Sequence, residues 1–158
     1  MAEVRTTFVA KAIYGLITVQ ALLVVMDEHP PTPLGGAMTL IGATFAVALI
    51  DTYAEIIAEA LAQKHMVSRD EVREILRSVS PVMVGSQAPT LMFLLSAIGL
   101  WSVEQAIQFA QIVTFLFLFV FGVHIGRLLH THWFRQVLSG IFLVAVAGMI
   151  VAIKILFH

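Results

Sequence analysis

Long apolar stretches dominate this chain, and several exceed the roughly 20 residues that cross the hydrocarbon core of a bilayer. Only 12% of the 158 residues are charged, and 59% are hydrophobic, whereas soluble domains carry about 25% charged residues. So few charges cannot cover the surface of a soluble globule. The sequence therefore predicts an all-α, polytopic membrane protein and excludes a soluble enzyme or a disordered tail.

Charge and cysteine content exclude further classes. The formal net charge is −1, so no basic excess favours nucleic acid as a partner. The chain has no cysteine, which excludes disulfides and thiolate metal sites. No nucleophile–base set is apparent, so we predict neither an enzyme nor a bound cofactor.

Polar and proline-rich breaks divide the apolar sequence into segments. We expect a single transmembrane domain, 1–158, with five membrane-spanning helices at about 7–27, 34–60, 79–100, 103–129 and 133–157. A cytoplasmic connector, 61–78, separates the second and third spans. Ser68 and Glu71 in it have the spacing of a capping box, which predicts a short amphipathic helix on the membrane surface. A simple solvated connector fits the same residues.

The distribution of basic residues predicts the orientation, because cytoplasmic loops are enriched in Lys and Arg. With a cytoplasmic N-terminus and the C-terminus outside, one side collects most of the basic residues: Arg5, Lys64, Arg69, Arg73, Arg77, Arg127 and Arg135. The opposite side then carries Asp27, Glu28, Glu104 and Lys154.

Three carboxylates in span two stand out, because an acid at the centre of a bilayer costs about 2.5–3.5 kcal/mol. Asp51, Glu55 and Glu59 are spaced i, i+4 and i+8, which places them on one helical face. At about 1.5 Å per residue from Gly35, Asp51 lies about 24 Å into the membrane. Carboxylate oxygens suit a divalent cation and can also carry protons, so these three acids are candidate metal ligands. Alternatively, Glu55 and Glu59 lie on the wet end of the span.

Other polar residues inside the spans are candidates for the lining of a transport path. In span one, Tyr14 and Thr18 share a face, although ordinary hydrogen bonding between helices explains them equally well. Lys11 either extends towards the interface or pairs with an acid of span two. In span three, Ser86 and Gln87 are further candidates.

Two features of the later spans bear on packing. Pro89 interrupts the hydrogen bonding of span three near mid-bilayer, which fits either a structural kink or a polar cavity. Ala145, Gly148 and Ala152 give span five a face of small residues that favours close helix packing.

Five spans with a cytoplasmic segment between the second and third resemble the vacuolar iron transporter family. Residues 14–18 look like that family's Asp-Gly-Leu-Val-Thr opening of span one. Residues 48–55 are similar to its small-residue stretch ending in Gly-Glu-Tyr, which puts Asp51 at the family's glutamate. Gly-x-x-x-Pro over 85–89 and the stretch 122–148 also agree in place.

The resemblance implies a homodimer that exchanges Fe²⁺ or Mn²⁺ for protons along a path at the dimer interface. The chain also departs from the family. Tyr14 replaces the span-one aspartate that binds the transported metal. The long cytoplasmic metal-binding helices are reduced to residues 61–78, so this chain resembles a small, divergent member.

Three functional hypotheses follow from these features. The first is proton-coupled transport of Fe²⁺ or Mn²⁺ through Asp51 and Glu55. The second is a channel or carrier for another ion or small solute, lined by Tyr14, Gln87 and Gln111. The third is a membrane assembly or interaction protein without transport activity, whose acids bind basic residues of a partner.

Overall fold

Five helices make up the computed structural model, which describes residues 2–63, 69–128 and 132–157. They are α1 Ala2–Glu28, α2 Pro33–Gln63, α3 Arg69–Ala97, α4 Val103–Leu128 and α5 Trp133–Phe157. The predicted all-α fold is confirmed. Each predicted span coincides with one helix. The bounds differ by at most five residues, except at the start of α3, which begins ten residues earlier than predicted.

The segment between spans two and three differs from the prediction. The arginine-rich residues and the third apolar segment form one helix, α3, not a short surface helix followed by a separate span. Residues 69–80 contain no glycine or proline, and the helix continues through Pro81, directly before the apolar part, without ending there. Helices α2 and α3 leave only 64–68 of the predicted connector 61–78. These residues, which include Ser68 of the predicted capping box, lie outside the described part of the chain.

Four helices have segments long and apolar enough to cross a membrane, as a multi-pass membrane protein requires. These segments are Val9–Glu28, Pro33–Ala58, Val103–Leu128 and Trp133–Ile153. The apolar part of α3, Val82–Ala97, is shorter. That α3 crosses the membrane as the third span, and that the N-terminus is cytoplasmic, therefore stay predictions.

Consecutive helices run antiparallel. The ring of Phe93 in α3 lies where a side chain on Gly36 of α2 would project, and the Thr44 hydroxyl donates to Ser86 two turns further along. Apolar side chains of α1 to α4 form the largest core cluster, which includes Val19, Leu23, Met26, Ala37, Leu40, Phe93, Ala106, Ile107 and Ala110. This packing brings the start of α1 and the end of α2 to the same end of the bundle.

The turn between α3 and α4 is tightly specified by its residues. Gly99 has φ 83°, and the N–H groups of Gly99 and Leu100 donate to the carbonyls of Ser96 and Leu95, which is a Schellman cap. Helix α4 then begins with Ser102 as its N-cap. The Ser102 Oγ accepts from the Gln105 N–H at 3.3 Å, and the Gln105 side chain accepts from the Ser102 N–H at 3.0 Å.

Glycines allow two pairs of helices to approach closely. A Cβ on Gly15 of α1 would lie 2.5 Å from the Val82 carbonyl oxygen of α3. Between α4 and α5, a Cβ on Gly122 would lie 2.6 Å from the Gly140 Cα. By contrast, a Cβ on Gly148 meets no atom within 4 Å. The predicted small-residue face of span five therefore does not mediate the close packing of α5 within the described chain.

Candidate functional site

A cluster of three charged side chains joins α1 to α2. The Lys11 ammonium hydrogen-bonds to Oε1 of Glu55 and lies 3.3 Å from Oδ2 of Asp51. Of the two interpretations that the sequence left open for Lys11, pairing with the acids of span two is the one found. The structure therefore brings Asp51 and Glu55 together through a cation that belongs to the chain itself.

The helical repeat of α2 positions these acids. Thr44, Ala48, Asp51 and Glu55 recur at intervals of three or four residues, so they lie on one face of the helix, and Thr52, four residues after Ala48, lies at the edge of that face. Thr44, Ala48 and Thr52 are buried against the rest of the bundle. The same face therefore changes from small and hydroxyl-bearing residues in the middle of α2 to carboxylates towards its end.

The three side chains of the cluster are partly buried. The side-chain exposure is 12% for Lys11, 29% for Asp51 and 36% for Glu55. All three residues lie within the apolar segments Val9–Glu28 and Pro33–Ala58. Charged side chains inside membrane segments are costly and characteristically pair with one another, so the pairing holds α1 and α2 together at this position.

One oxygen of the cluster is not satisfied by a hydrogen bond. Oδ2 of Asp51 is buried and has no hydrogen-bond partner within the described part of the chain, although it lies 3.3 Å from the Lys11 nitrogen. The two observations agree if this contact is an ion pair without the alignment of a hydrogen bond. Oδ2 can therefore accept a further proton or coordinate a cation without losing an existing hydrogen bond.

The predicted metal ligands are only partly assembled. Within 2–63, 69–128 and 132–157, no group of three or more His, Asp and Glu side chains is arranged to hold a metal ion. Asp51 and Glu55 supply two carboxylates, and the Glu59 side chain lies outside the described residues. A divalent cation at Asp51 and Glu55 would have to take the position of the Lys11 ammonium.

The span-one candidates for a transport path face away from the bundle interior. Tyr14 is 53% exposed, and the half-buried Thr18 donates its hydroxyl to the Tyr14 carbonyl at 3.0 Å. That hydrogen bond lies within α1 itself, so the Thr18 hydroxyl is satisfied locally.

The span-three candidates point in different directions. Ser86 is buried, receives a hydrogen bond from Thr44 at 3.1 Å and donates to the Met83 carbonyl. Gln87, the next residue, is exposed. Because successive residues of a helix point about 100° apart, the structure does not bring Ser86 and Gln87 to one surface.

Two functional groups in the interior were not among the predicted site residues. Thr44 lies two turns before Asp51 on the same face of α2, and that seven-residue spacing could have identified it. The Gln20 side chain of α1 is fully buried, and neither its oxygen nor its nitrogen has a hydrogen-bond partner among the described residues. Its position in an apolar helix was the available signal, because a buried amide inside a membrane segment is costly.

Comparison with known proteins adds no assignment. No protein-family model matches the chain, and no curated protein or solved structure is significantly similar to it. The cluster of Lys11, Asp51 and Glu55 is therefore the feature of this chain that bears most directly on its function.

Proposed function

We propose that this protein is a multi-pass membrane transporter in which a cation and protons exchange at Asp51 and Glu55. The observation that carries the proposal is the ion pair between Lys11 and these two carboxylates inside apolar helices. Ionisable residues within membrane segments characteristically belong to ion pathways and proton relays.

The charge of the cluster defines what it can bind. With all three groups ionised, two carboxylates and one ammonium leave a net charge of −1. One added proton neutralises the cluster while Lys11 stays in place. A divalent cation neutralises the two carboxylates only if Lys11 withdraws. Lys11 thus competes with the cation for the two carboxylates. Fe²⁺ or Mn²⁺ can bind there only if the Lys11 ammonium is displaced.

This competition provides the coupling. In this exchange a proton and the cation compete for Oδ2 of Asp51, the oxygen that has no hydrogen-bond partner among the described residues. Binding of the metal expels that proton, since ligating carboxylates must be deprotonated. We further propose that the cluster faces the cytoplasm, as expected if the N-terminus is cytoplasmic, and that a second copy of the chain completes the coordination in a homodimer.

Flux measurements in reconstituted vesicles test the proposal. We expect vesicles containing the full chain to take up Mn²⁺ or Fe²⁺ and to move protons in the opposite direction, as followed by a pH-sensitive dye. Asp51→Asn should abolish both fluxes, because the asparagine amide does not take up and release a proton as a carboxylate does. Glu104→Gln is the matched control, since it removes an exposed carboxylate at the other end of the bundle, and its flux should equal that of the unaltered chain.

Lys11→Met separates the exchange mechanism from simple attraction by the acids. Removing the competing ammonium should raise uptake at low metal concentration. Unchanged flux in Asp51→Asn contradicts the proposal, as does a loss of metal binding in Lys11→Met with the fold intact.

A structural role is the second candidate, and the direct pairing of Lys11 with both acids favours it. In that case the cluster clamps α1 to α2 and no cation is transported. The clamp predicts no flux for the unaltered chain, together with a lower unfolding temperature for both Asp51→Asn and Lys11→Met.

A further inference from the structure

A groove of about 540 Å³ lies between α4 and α5, away from the charged cluster. The groove is lined by Ile125, Arg135, Leu138, Ser139, Phe142 and Leu143. Apart from the Arg135 guanidinium and the Ser139 hydroxyl, the lining side chains are aliphatic or aromatic.

The polar and apolar parts of the groove are separated along the helix axis. Arg135 is the third residue of α5, while Phe142 and Leu143 lie about two turns further along, or roughly 10–12 Å. Helix α5 begins at Trp133, so the charged end of the groove coincides with the end of the apolar segment. The groove is thus basic where the helices leave the apolar region and apolar towards their middle.

The surroundings of Arg135 strengthen the basic character of this end of the groove. Arg127, at the end of α4, is exposed at the same end of the bundle, as is Arg73 near the start of α3. Asp51 and Glu55 lie at this end too, but they pair with Lys11 on α1 and α2. Arg135 is the one charged residue among those that line the groove, so it is the group that attracts an anion there.

We propose that this groove binds one anionic phospholipid. The phosphate group pairs with Arg135, and one acyl chain lies along Leu138, Phe142 and Leu143. Basic pockets between membrane helices bind anionic headgroups through the same combination of charge and apolar depth. The arginine favours a phosphate because its planar guanidinium donates two parallel hydrogen bonds. A phospholipid matches the groove better than a second protein chain does, because a lipid also has a charged end next to an apolar part.

The site depends on the membrane location of the protein and not on transport. Arg135 and the groove lie on α4 and α5, whereas the proposed cation site lies on α1 and α2. A lipid-binding measurement therefore gives an answer even if no cation flux is found.

Native mass spectrometry of the delipidated full chain tests this assignment. Phosphatidylglycerol and phosphatidylcholine with identical acyl chains are added separately, and the concentrations that give half-maximal adducts are compared. We expect phosphatidylglycerol to bind about fivefold more tightly, which corresponds to ~1 kcal/mol for one basic residue near an anionic headgroup. Arg135→Gln should remove this preference, and Arg135→Lys should retain most of it.

Two further variants define the position of the lipid. Arg127→Gln is the matched control, because Arg127 lies at the same end but does not line the groove, and it should keep the preference. Leu143→Trp fills the apolar part and should weaken both lipids. Soluble glycerol phosphate should not bind at concentrations that saturate the lipid site.

Several results would overturn the proposal. Equal affinity for the two lipids excludes recognition of the anionic headgroup, and an equal loss in Arg127→Gln and Arg135→Gln shows nonspecific attraction. Binding of glycerol phosphate as tightly as the lipid shows an anion site without an acyl chain. If the unaltered chain is a dimer without bound lipid and Leu143→Trp is a monomer, a second copy of the chain occupies the groove.

Discussion

Replacement of Gly15 by alanine tests the packing that holds the charged cluster in place. Gly15 lies one turn beyond Lys11 on α1, and its missing side chain lets α1 approach the backbone of α3. A Cβ at this position would lie 2.5 Å from the Val82 carbonyl oxygen and 3.1 Å from the Val82 Cα. Both contacts involve backbone atoms, which cannot rotate aside as a flexible side chain can.

The expected cost of this change follows from the geometry. Ordinary contact distances begin near 3.4 Å, so α1 and α3 must separate by about 0.9 Å at this point. Overpacking of this kind typically costs about 1–3 kcal/mol, and the fixed backbone places Gly15→Ala towards the upper part of that range. Alanine is favoured over glycine in a helix by about 1 kcal/mol. We therefore expect a net destabilisation of about 1–2 kcal/mol.

Reversible unfolding in mixed micelles with increasing denaturing detergent measures this difference. Gly148→Ala is the matched control, since its Cβ meets no atom within 4 Å and the helix propensity gain of up to about 1 kcal/mol should remain. The two variants should thus differ by about 2–3 kcal/mol in opposite directions. If Gly15→Ala is as stable as Gly148→Ala, the close approach of α1 and α3 described above is incorrect.

Two other substitutions probe the remaining helix contacts. Gly122→Ala places a Cβ 2.6 Å from the Gly140 Cα, so it should lower the free energy of unfolding by about 1–2 kcal/mol in the same assay; an increase in stability would contradict the packing of α4 on α5. For the hydrogen bond between Thr44 and Ser86, a double-mutant cycle with Thr44→Val and Ser86→Ala should give a coupling energy of about 0.6 kcal/mol. A coupling energy of zero would show that the two hydroxyls do not interact.

Much of the helical architecture could be predicted from the apolar periodicity and the polar breaks. The cap of α4 is of this local kind, because it depends only on Ser102 and Gln105, three positions apart. The predicted boundary between the connector and span three was wrong, because α3 is continuous across it. Hydropathy identifies segments that are compatible with a membrane, but a helix can extend beyond such a segment. Residues 69–80 are polar and nevertheless helical.

The candidate site shows the same limit. The spacing of Asp51 and Glu55 predicted their common face, since both residues belong to one helix. Whether Lys11 reached them depended on the register between α1 and α2, which local sequence does not encode. The sequence likewise could not show that Ser86 is buried and its neighbour Gln87 exposed, because that depends on which face of α3 packs against α2. The glycines at 122 and 126 carried a recognisable small-xxx-small pattern, and they do lie at the α4–α5 contact.

The pairing of Lys11 with Asp51 and Glu55 also has a consequence for biogenesis. A helix that enters the bilayer alone carries its unpaired charge into hydrocarbon, at a cost of about 2.5–3.5 kcal/mol for each such residue near the centre. Helices α1 and α2 are joined by a turn of four residues, 29–32, so they can leave the insertion machinery as a hairpin with the charges already paired. We therefore expect the first two helices to insert as a single unit, with α1 stably integrated only after α2 has been synthesised.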